Sequence, residues 1–289
     1  MVAEGRVIKF YGGFCYVMVD GAVKECLPRR RLVTAGLLVG DRVKVGAAEA
    51  GRCVVEAVLP RRTVLFRPPV ANVELAVLVF SIRDPQPNFG LLDRLLVVSQ
   101  AAGIEALVCF NKLDLARDTP PAEVAVYRAV GYRVILTSAL SGEGVTALRD
   151  ALADRISVFA GPSGAGKSSL LNAIQPGLRL RTGEISHKTR RGRHTTRVVE
   201  LLPLTGGGLV ADTPGFTQLD LPDIPAAELA AYFPEIAAAS AGCRFNDCLH
   251  VQEPACAVRR AVEEGTVALF RYRNYLSFLR ELKEKERRF

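Results

Sequence analysis

The segment GPSGAGKSS, Gly161 to Ser169, carries the pattern G-x-x-x-x-G-K-[ST], with the apolar run ISVFA before it and SLLNAI after it. That context predicts a buried strand entering a glycine-rich turn and leaving as a helix, an arrangement that wraps backbone amides around phosphate. Gly161, Pro162, Ser163, Gly164, Ala165 and Gly166 would form the cradle, and Ser169 would complete it. Lys167 would neutralise the β and γ oxygens, and the hydroxyl of Ser168 would bind magnesium. A glycine-rich turn with an incidental lysine shares the pattern, but both flanks favour nucleotide. The loop does not select a base.

Base selection is the chemistry open to NKLD, Asn111 to Asp114. A carboxylate at Asp114 accepts from N1–H and the exocyclic amine of guanine, whereas adenine presents an acceptor at N1 and is repelled. Asn111 and the aliphatic stem of Lys112 would hold the purine ring. Alone, NKLD also suits a turn or helix cap. SAL, Ser138 to Leu140, follows another strand and offers Ser138 and Ala139 as a backbone loop beside the guanine oxygen. DTPG, Asp212 to Gly215, closes a further strand, so Asp212 would hold magnesium through water and the Gly215 amide would lie near the γ-phosphate; Pro-Gly is equally a turn signal. Four such loops would converge at the carboxyl edge of one sheet. Their order is inverted, because in an ordinary GTPase the phosphate loop precedes the base loop.

A second chemistry lies near the carboxyl end. Cys243, Cys248, His250 and Cys256 supply three thiolates and one imidazole, a set suited to one tetrahedral zinc ion. Buried thiols beside a surface histidine are the plainer reading, but the intervening Arg, Asn, Asp and Gln do not resemble an apolar core. With four protein ligands the zinc would be structural. The other cysteines, Cys15, Cys26, Cys53 and Cys109, sit in apolar surroundings as small buried thiols, and an odd total of seven argues against a disulfide framework.

The elements that must position these groups fall into three parts, about 1–66, 67–221 and 222–289. The first alternates apolar and polar residues in five short runs, the period of half-buried strands, and predicts a five-stranded OB-like barrel; an SH3-like barrel fits nearly as well. PRRR at Pro28 to Arg31 and PRR at Pro60 to Arg62 make it basic, either as a solvated face or as a nucleic-acid contact. From Val70 onward, apolar strands alternate with helices as in a doubly wound α/β domain, and a hairpin then feeds DTPG. The third part is helical and ends in FRYRNYLSFLRELKEKERRF, where Phe270, Tyr275, Leu276, Phe278, Leu279 and Leu282 predict a buried side with Arg and Lys outside.

Across 289 residues the net charge is +8, which favours a polyanionic partner. No apolar run reaches the length of a membrane span, and MVAEGRVIKF lacks the apolar core of a signal peptide, so a cytoplasmic protein with no membrane partner is expected.

The order NKLD, SAL, GPSGAGKS, GRHTTR, DTPG resembles that of the circularly permuted GTPases. With a barrel ahead and a zinc cluster behind, the chain is similar over its whole length to the RsgA (YjeQ/YloQ) family of bacterial small-ribosomal-subunit biogenesis GTPases. RPPVANVEL, Arg67 to Leu75, and PNFGLLDRLLV, Pro87 to Val97, share in the likeness. NVEL, Asn72 to Leu75, departs from the family's more usual NVDQ. The resemblance implies a permuted P-loop GTPase domain, GTP and GDP as ligands with Mg2+, and action on the small (30S) subunit and its rRNA, as a monomer. Phe216, after DTPG, can neither donate nor accept, so another group must orient the attacking water. His194 in GRHTTR is the candidate, although a histidine in a basic loop is often merely solvated. Thr195 or Thr196 would complete the magnesium shell, and the sequence does not choose between them. The same loop carries Arg179, Arg181, Lys188, Arg190, Arg191, Arg193 and Arg197 against Glu184, and is expected to be largely disordered until RNA phosphates order it. Two further readings stand beside the GTPase switch: a nucleotide-gated RNA-binding module with incidental hydrolysis, and an ATP-dependent protein, which Asp114 disfavours.

Overall fold

The computed structural model describes residues 2–47, 53–66, 68–116, 120–178, 199–212 and 220–287. Alternating apolar residues make strands β1 (Ala3–Tyr11), β2 (Phe14–Val19), β3 (Ala22–Pro28), β4 (Arg42–Ala47) and β5 (Cys53–Val58). They pair in the order β1-β2-β3-β5-β4, and β4 returns to β1, so the five strands close into the expected OB-like barrel. Val7, Cys15, Val17, Cys26, Val43 and Val55 are fully buried inside it. PRRR runs into a short helix, α1 (Arg30–Thr34), that connects β3 to β4. Arg61 is tied inward: Nε and Nη2 donate to the buried Asp41 carboxylate at 2.7 and 2.8 Å, and Nη2 also donates to Gly36 O. Part of the basic stretch therefore holds the barrel exit in place.

A hairpin of β6 (Val64–Phe66) and β7 (Pro69–Ala71) leads to the central sheet. Its strands are β8 (Leu75–Ser81), β9 (Glu105–Asn111), β10 (Arg133–Leu136), β11 (Ile156–Ala160), β12 (Glu200–Pro203) and β13 (Leu209–Asp212), in the order β10-β9-β8-β11-β13-β12. All neighbours are parallel except β12, which forms the antiparallel hairpin with β13. Every residue of β8 and of β11 is buried, because helices α2 (Phe89–Ala101), α3 (Ala122–Ala129), α4 (Val145–Leu152) and α5 (Lys167–Ile174) contribute to cores on the two faces. The NVEL departure has a local role here: Glu74 Oε2 accepts from the Ile156 amide at 3.1 Å and so joins β8 to the start of β11.

The barrel continues this sheet. Lys9 of β1 stands opposite Glu200 of β12 in an antiparallel pairing, with Nζ and Oε1 3.2 Å apart, and among the described residues eleven strands form one connected sheet.

The carboxyl-terminal part packs a 3-10 turn (Ala226–Tyr232) with α6 (Pro234–Ser240), α7 (Ala257–Glu263) and α8 (Leu269–Glu286). Tyr275, Phe278, Leu279 and Leu282 of α8 are buried, as the periodicity predicts. Arg271 departs from that reading. It is 1% exposed, because Asp93 and Glu235 supply acidic partners that periodicity along one helix cannot reveal.

Candidate nucleotide site and metal centre

The phosphate loop leaves the carboxyl end of β11, and its glycines adopt a backbone that side chains would obstruct. Gly161 has φ +139, and a Cβ there would lie 2.0 Å from Val79 O. Gly166 has φ +90, and a Cβ there would lie 2.3 Å from Asn111 Nδ2. The loop therefore closes directly on the base loop. Ala165 is buried, Ser163 and Gly164 are exposed, and Pro162 and Ser168 are half-buried, with Ser169 facing outward on the first turn of α5. Lys167 Nζ donates to Gly161 O and Pro162 O, each at 2.8 Å, and burial pushes its pKa below the usual lysine value. A cation held at the loop's own rim is suited to exchange those carbonyls for phosphate oxygens.

Asn111, at the end of β9 and 1% exposed, is the hub of the site. Its Nδ2 donates to Ala165 O at 3.0 Å, while its Oδ1 accepts from the Ala139 amide at 3.2 Å and the Thr137 hydroxyl at 3.3 Å. One side chain thus ties the phosphate loop to SAL. Asp114, exposed in the 3-10 turn Leu113–Leu115, accepts a short hydrogen bond from the Oγ of buried Ser138. That bond fixes the carboxylate while leaving acceptor capacity toward solvent, the arrangement needed to accept two guanine donors.

Lys112 takes a left-handed backbone (φ 64), and its Nζ donates to Asp84 O at 2.5 Å. The same carbonyl accepts from Ser81 Oγ at 2.7 Å, and Ser81 Oγ accepts from the Asp84 amide at 3.0 Å. This turn after β8 holds the lysine stem beside the phosphate loop: Lys112 Cε is 4.0 Å from the Cβ position on Gly166, and Pro85 Cδ is 3.5 Å from that on Gly164. Thr137, Ser81 and Asp84 escaped the sequence reading. A main-chain acceptor and two ordinary hydroxyls have no motif.

At the far side of β11, β13 runs parallel to it and brings the backbone of Asp212 to the same sheet edge. The side chain of Asp212 lies outside the described residues. So do Gly215, Phe216, His194, Thr195, Thr196 and the arginine-rich run from Arg179 to Arg197. Magnesium, when bound with nucleotide, would neutralise phosphate charge, and Ser168 stands at the loop position suited to it.

In the second centre, the ligand atoms of Cys243, Cys248, His250 and Cys256 all lie within 4.8 Å of one another. Cys243 Sγ and Cys256 Sγ are 3.9 Å apart, and each lies 3.6 or 3.5 Å from His250 Nδ1. Tetrahedral zinc with ordinary bond lengths requires sulfur–sulfur edges of about 3.8 Å and sulfur–nitrogen edges of about 3.5 Å. The donor set and its spacing fit a structural zinc. Burial lowers the His250 pKa against the opposing charge of Glu253, the direction that favours the neutral imidazole a metal ligand requires. Glu253 braces the turn by accepting from the amides of Leu249, Val251 and Gln252, while Tyr272 and Tyr275 of α8 donate to His250 O and Leu249 O.

A phosphate loop bonded to a base loop that precedes it in the chain, on a sheet with β11 between β8 and β13, defines a circularly permuted P-loop GTPase. The family profile described as RsgA GTPase matches residues 58–222. The protein named small ribosomal subunit biogenesis GTPase RsgA from Moorella thermoacetica is 51% identical over 288 residues, covering 99% of each chain. Its counterpart in Caldanaerobacter subterraneus is 49% identical, covering 99% of this chain and 97% of the relative. Among solved structures, YjeQ from Thermotoga maritima matches with TM-score 0.82 at 37% identity, covering 98% of this chain and 99% of that one. YloQ, described as a circularly permuted GTPase, matches with TM-score 0.83 at 39% identity, covering 99% and 96%. The chain belongs to the RsgA GTPase family.

Proposed function

We propose that this GTPase is a switch that binds the small ribosomal subunit and its rRNA, assists late maturation of that subunit, and hydrolyses GTP faster when docked. The relatives' names support the subunit, and the Asn111 bridge between phosphate loop and SAL is the observation that carries the nucleotide half. In this reading Asn111, Lys112, Asp114, Ser138 and Ala139 take the guanine, and the backbone from Gly161 to Ser169 with Lys167 takes the phosphates. Asp212, Ser168 and Thr195 or Thr196 complete the magnesium shell, with the Gly215 amide at the γ-phosphate. His194 orients the water, since Phe216 cannot. Cys243, Cys248, His250 and Cys256 hold one structural zinc. The chain acts as a cytoplasmic monomer without membrane contact; among the described residues no helix is long and apolar enough to cross a membrane. Its working parts are the barrel at 1–66, the GTPase domain at 67–221 and the zinc domain at 222–289. Nucleotide state would then reach the ribosome through β12 to the barrel and through DTPG to the zinc domain.

The test is GTP turnover with purified small subunits, large subunits or bare RNA. Strong stimulation by small subunits alone is expected. Equal rates throughout, with intact binding, would leave a nucleotide-gated RNA-binding module whose hydrolysis is incidental. Single-turnover hydrolysis by His194→Ala on the subunit reads its role, and an unchanged chemical step removes it from catalysis.

A further inference from the structure

The seam between barrel and GTPase domain holds a cleft of about 470 Å³ whose lining includes Arg6, Arg42 and Arg62, together with Glu74 and Glu105. Arg6 and Arg42 are direct cross-strand partners in the β1–β4 pairing, a placement of like charges that costs a sheet stability. Arg6 donates to Gly40 O at 3.0 Å, and Arg42 reaches Glu4 at 2.9 Å in an exposed pair. The Arg62 guanidinium has no hydrogen-bond or ion-pair partner among the described residues, although its main-chain amide donates to Asn72. Both lining carboxylates have other partners: Glu105 pairs with Arg155 at 2.7 Å, and Glu74 accepts from the Ile156 amide. Burial holds the pKa of Arg6 below the usual arginine value; Glu74 opposes this, and the charges of Arg42 and Arg62 add to it.

The cleft is remote from the nucleotide loops. Glu74 and Glu105 stand at the amino ends of β8 and β9, whereas the base and phosphate loops leave the carboxyl ends of β9 and β11. A seven-residue strand spans about 23 Å, so the cleft opens on the opposite edge of the sheet. Planar guanidinium donors with spare hydrogen-bonding capacity match the geometry of phosphate oxygens.

We propose that the Arg6, Arg42 and Arg62 cleft is a second anion site that grips backbone phosphates of an RNA partner at the barrel–GTPase seam. The inference rests on the RNA contact proposed above and adds a place for it outside the nucleotide-binding edge. A free phosphate or mononucleotide offers the same chemistry, and the measurements separate the two sources.

Binding of small subunits and of a short RNA duplex is measured against salt for the wild-type chain, Arg62→Gln, and the Arg42→Gln/Arg62→Gln double variant. Arg128→Gln, exposed on α3, controls for net charge. The double variant is expected to keep its melting temperature and GDP affinity, lose about tenfold in RNA affinity, and flatten the salt slope by about two. Arg62→Gln alone should flatten it by about one, and Arg128→Gln should leave it unchanged. Unaltered RNA affinity and slope in both cleft variants, with tight wild-type binding, would overturn the cleft while leaving RNA contact standing. Wild-type chain that binds neither subunit nor duplex overturns both. Loss of inorganic phosphate or GMP binding in the cleft variants, with RNA binding intact, would overturn the assignment to RNA.

Discussion

Arg271 on α8 and Asp93 on α2, 178 positions apart, form an ion pair at 2.5 Å with neither side chain more than 1% exposed. Asp93 also accepts from Tyr127 Oη and Asn274 Nδ2 at 2.7 and 2.6 Å, and Arg271 grips Glu235 through Nε and Nη2 at 2.6 and 3.0 Å. Burial pushes the Asp93 pKa upward against the pull of Arg271 and the other donors, and the three bonds leave the carboxylate well solvated by protein. Through Arg271 the pair bolts α8 and α6 of the carboxyl-terminal part to α2.

Removing the cation strands two acidic groups in the interior. Arg271→Ala should cost about 3–5 kcal/mol in urea unfolding. A loss below about 1 kcal/mol would mean that water reaches Asp93 and that the bolt is weak.

Gly166 is where phosphate and base loops touch. Gly166→Ala puts a methyl against Asn111 Nδ2 at a left-handed backbone position, so GDP affinity should fall by more than about tenfold, or roughly 1.4 kcal/mol. Far-ultraviolet circular dichroism should be unchanged. Titration with a fluorescent GDP analogue reads the effect, and wild-type affinity would show that the loops can separate without penalty.

Asp114→Asn replaces a dual acceptor by a group that also donates. Guanosine nucleotides should lose about 1.5–3 kcal/mol of binding while xanthosine nucleotides gain. Competition between GDP and XDP measures the exchange, and an unchanged preference would remove Asp114 from base recognition.

The zinc centre is coupled to folding. Cys248→Ser should lower bound zinc below one per chain and weaken the packing of α7 and α8, which meet the cluster through Cys256, Tyr272 and Tyr275. Metal analysis with hydrogen exchange tests this, and full zinc content with unchanged protection would exclude Cys248 as a ligand.

The Arg94–Glu281 pair gives a pH signature. Both Nη atoms of Arg94 reach the carboxylate, at 2.9 and 2.6 Å, and this bonding holds the Glu281 pKa below the usual glutamate value. A depressed carboxylate pKa contributes stability above its unfolded value and loses it as pH falls through the folded one. Glu281→Gln should therefore cost about 0.5–1 kcal/mol at pH 7 and almost nothing well below pH 4. Equal cost at both pH values would show that packing, and not charge, holds the pair.

Much of the architecture was legible because its signals are consecutive. ISVFA, GPSGAG and KSSLLNAI write strand, loop and helix side by side, and five alternating runs are enough to expect a small barrel. The inverted order of NKLD and the phosphate loop likewise announced a permuted chain. The long-range partners were not legible. Asn111 finds Ala165 across 54 positions, and Lys112 finds a main-chain carbonyl at Asp84 that no residue type marks.

The sequence by itself determined the chemistry available: a phosphate cradle, an acceptor for guanine, and three thiolates with one imidazole for zinc. Tertiary structure alone decided how these are held. Periodicity placed arginines of α8 outside because it records the average polarity of a helix face, whereas burying Arg271 depends on carboxylates from α2 and α6. A buried charge is tolerated only where distant partners replace its water, and only the folded chain brings those partners together.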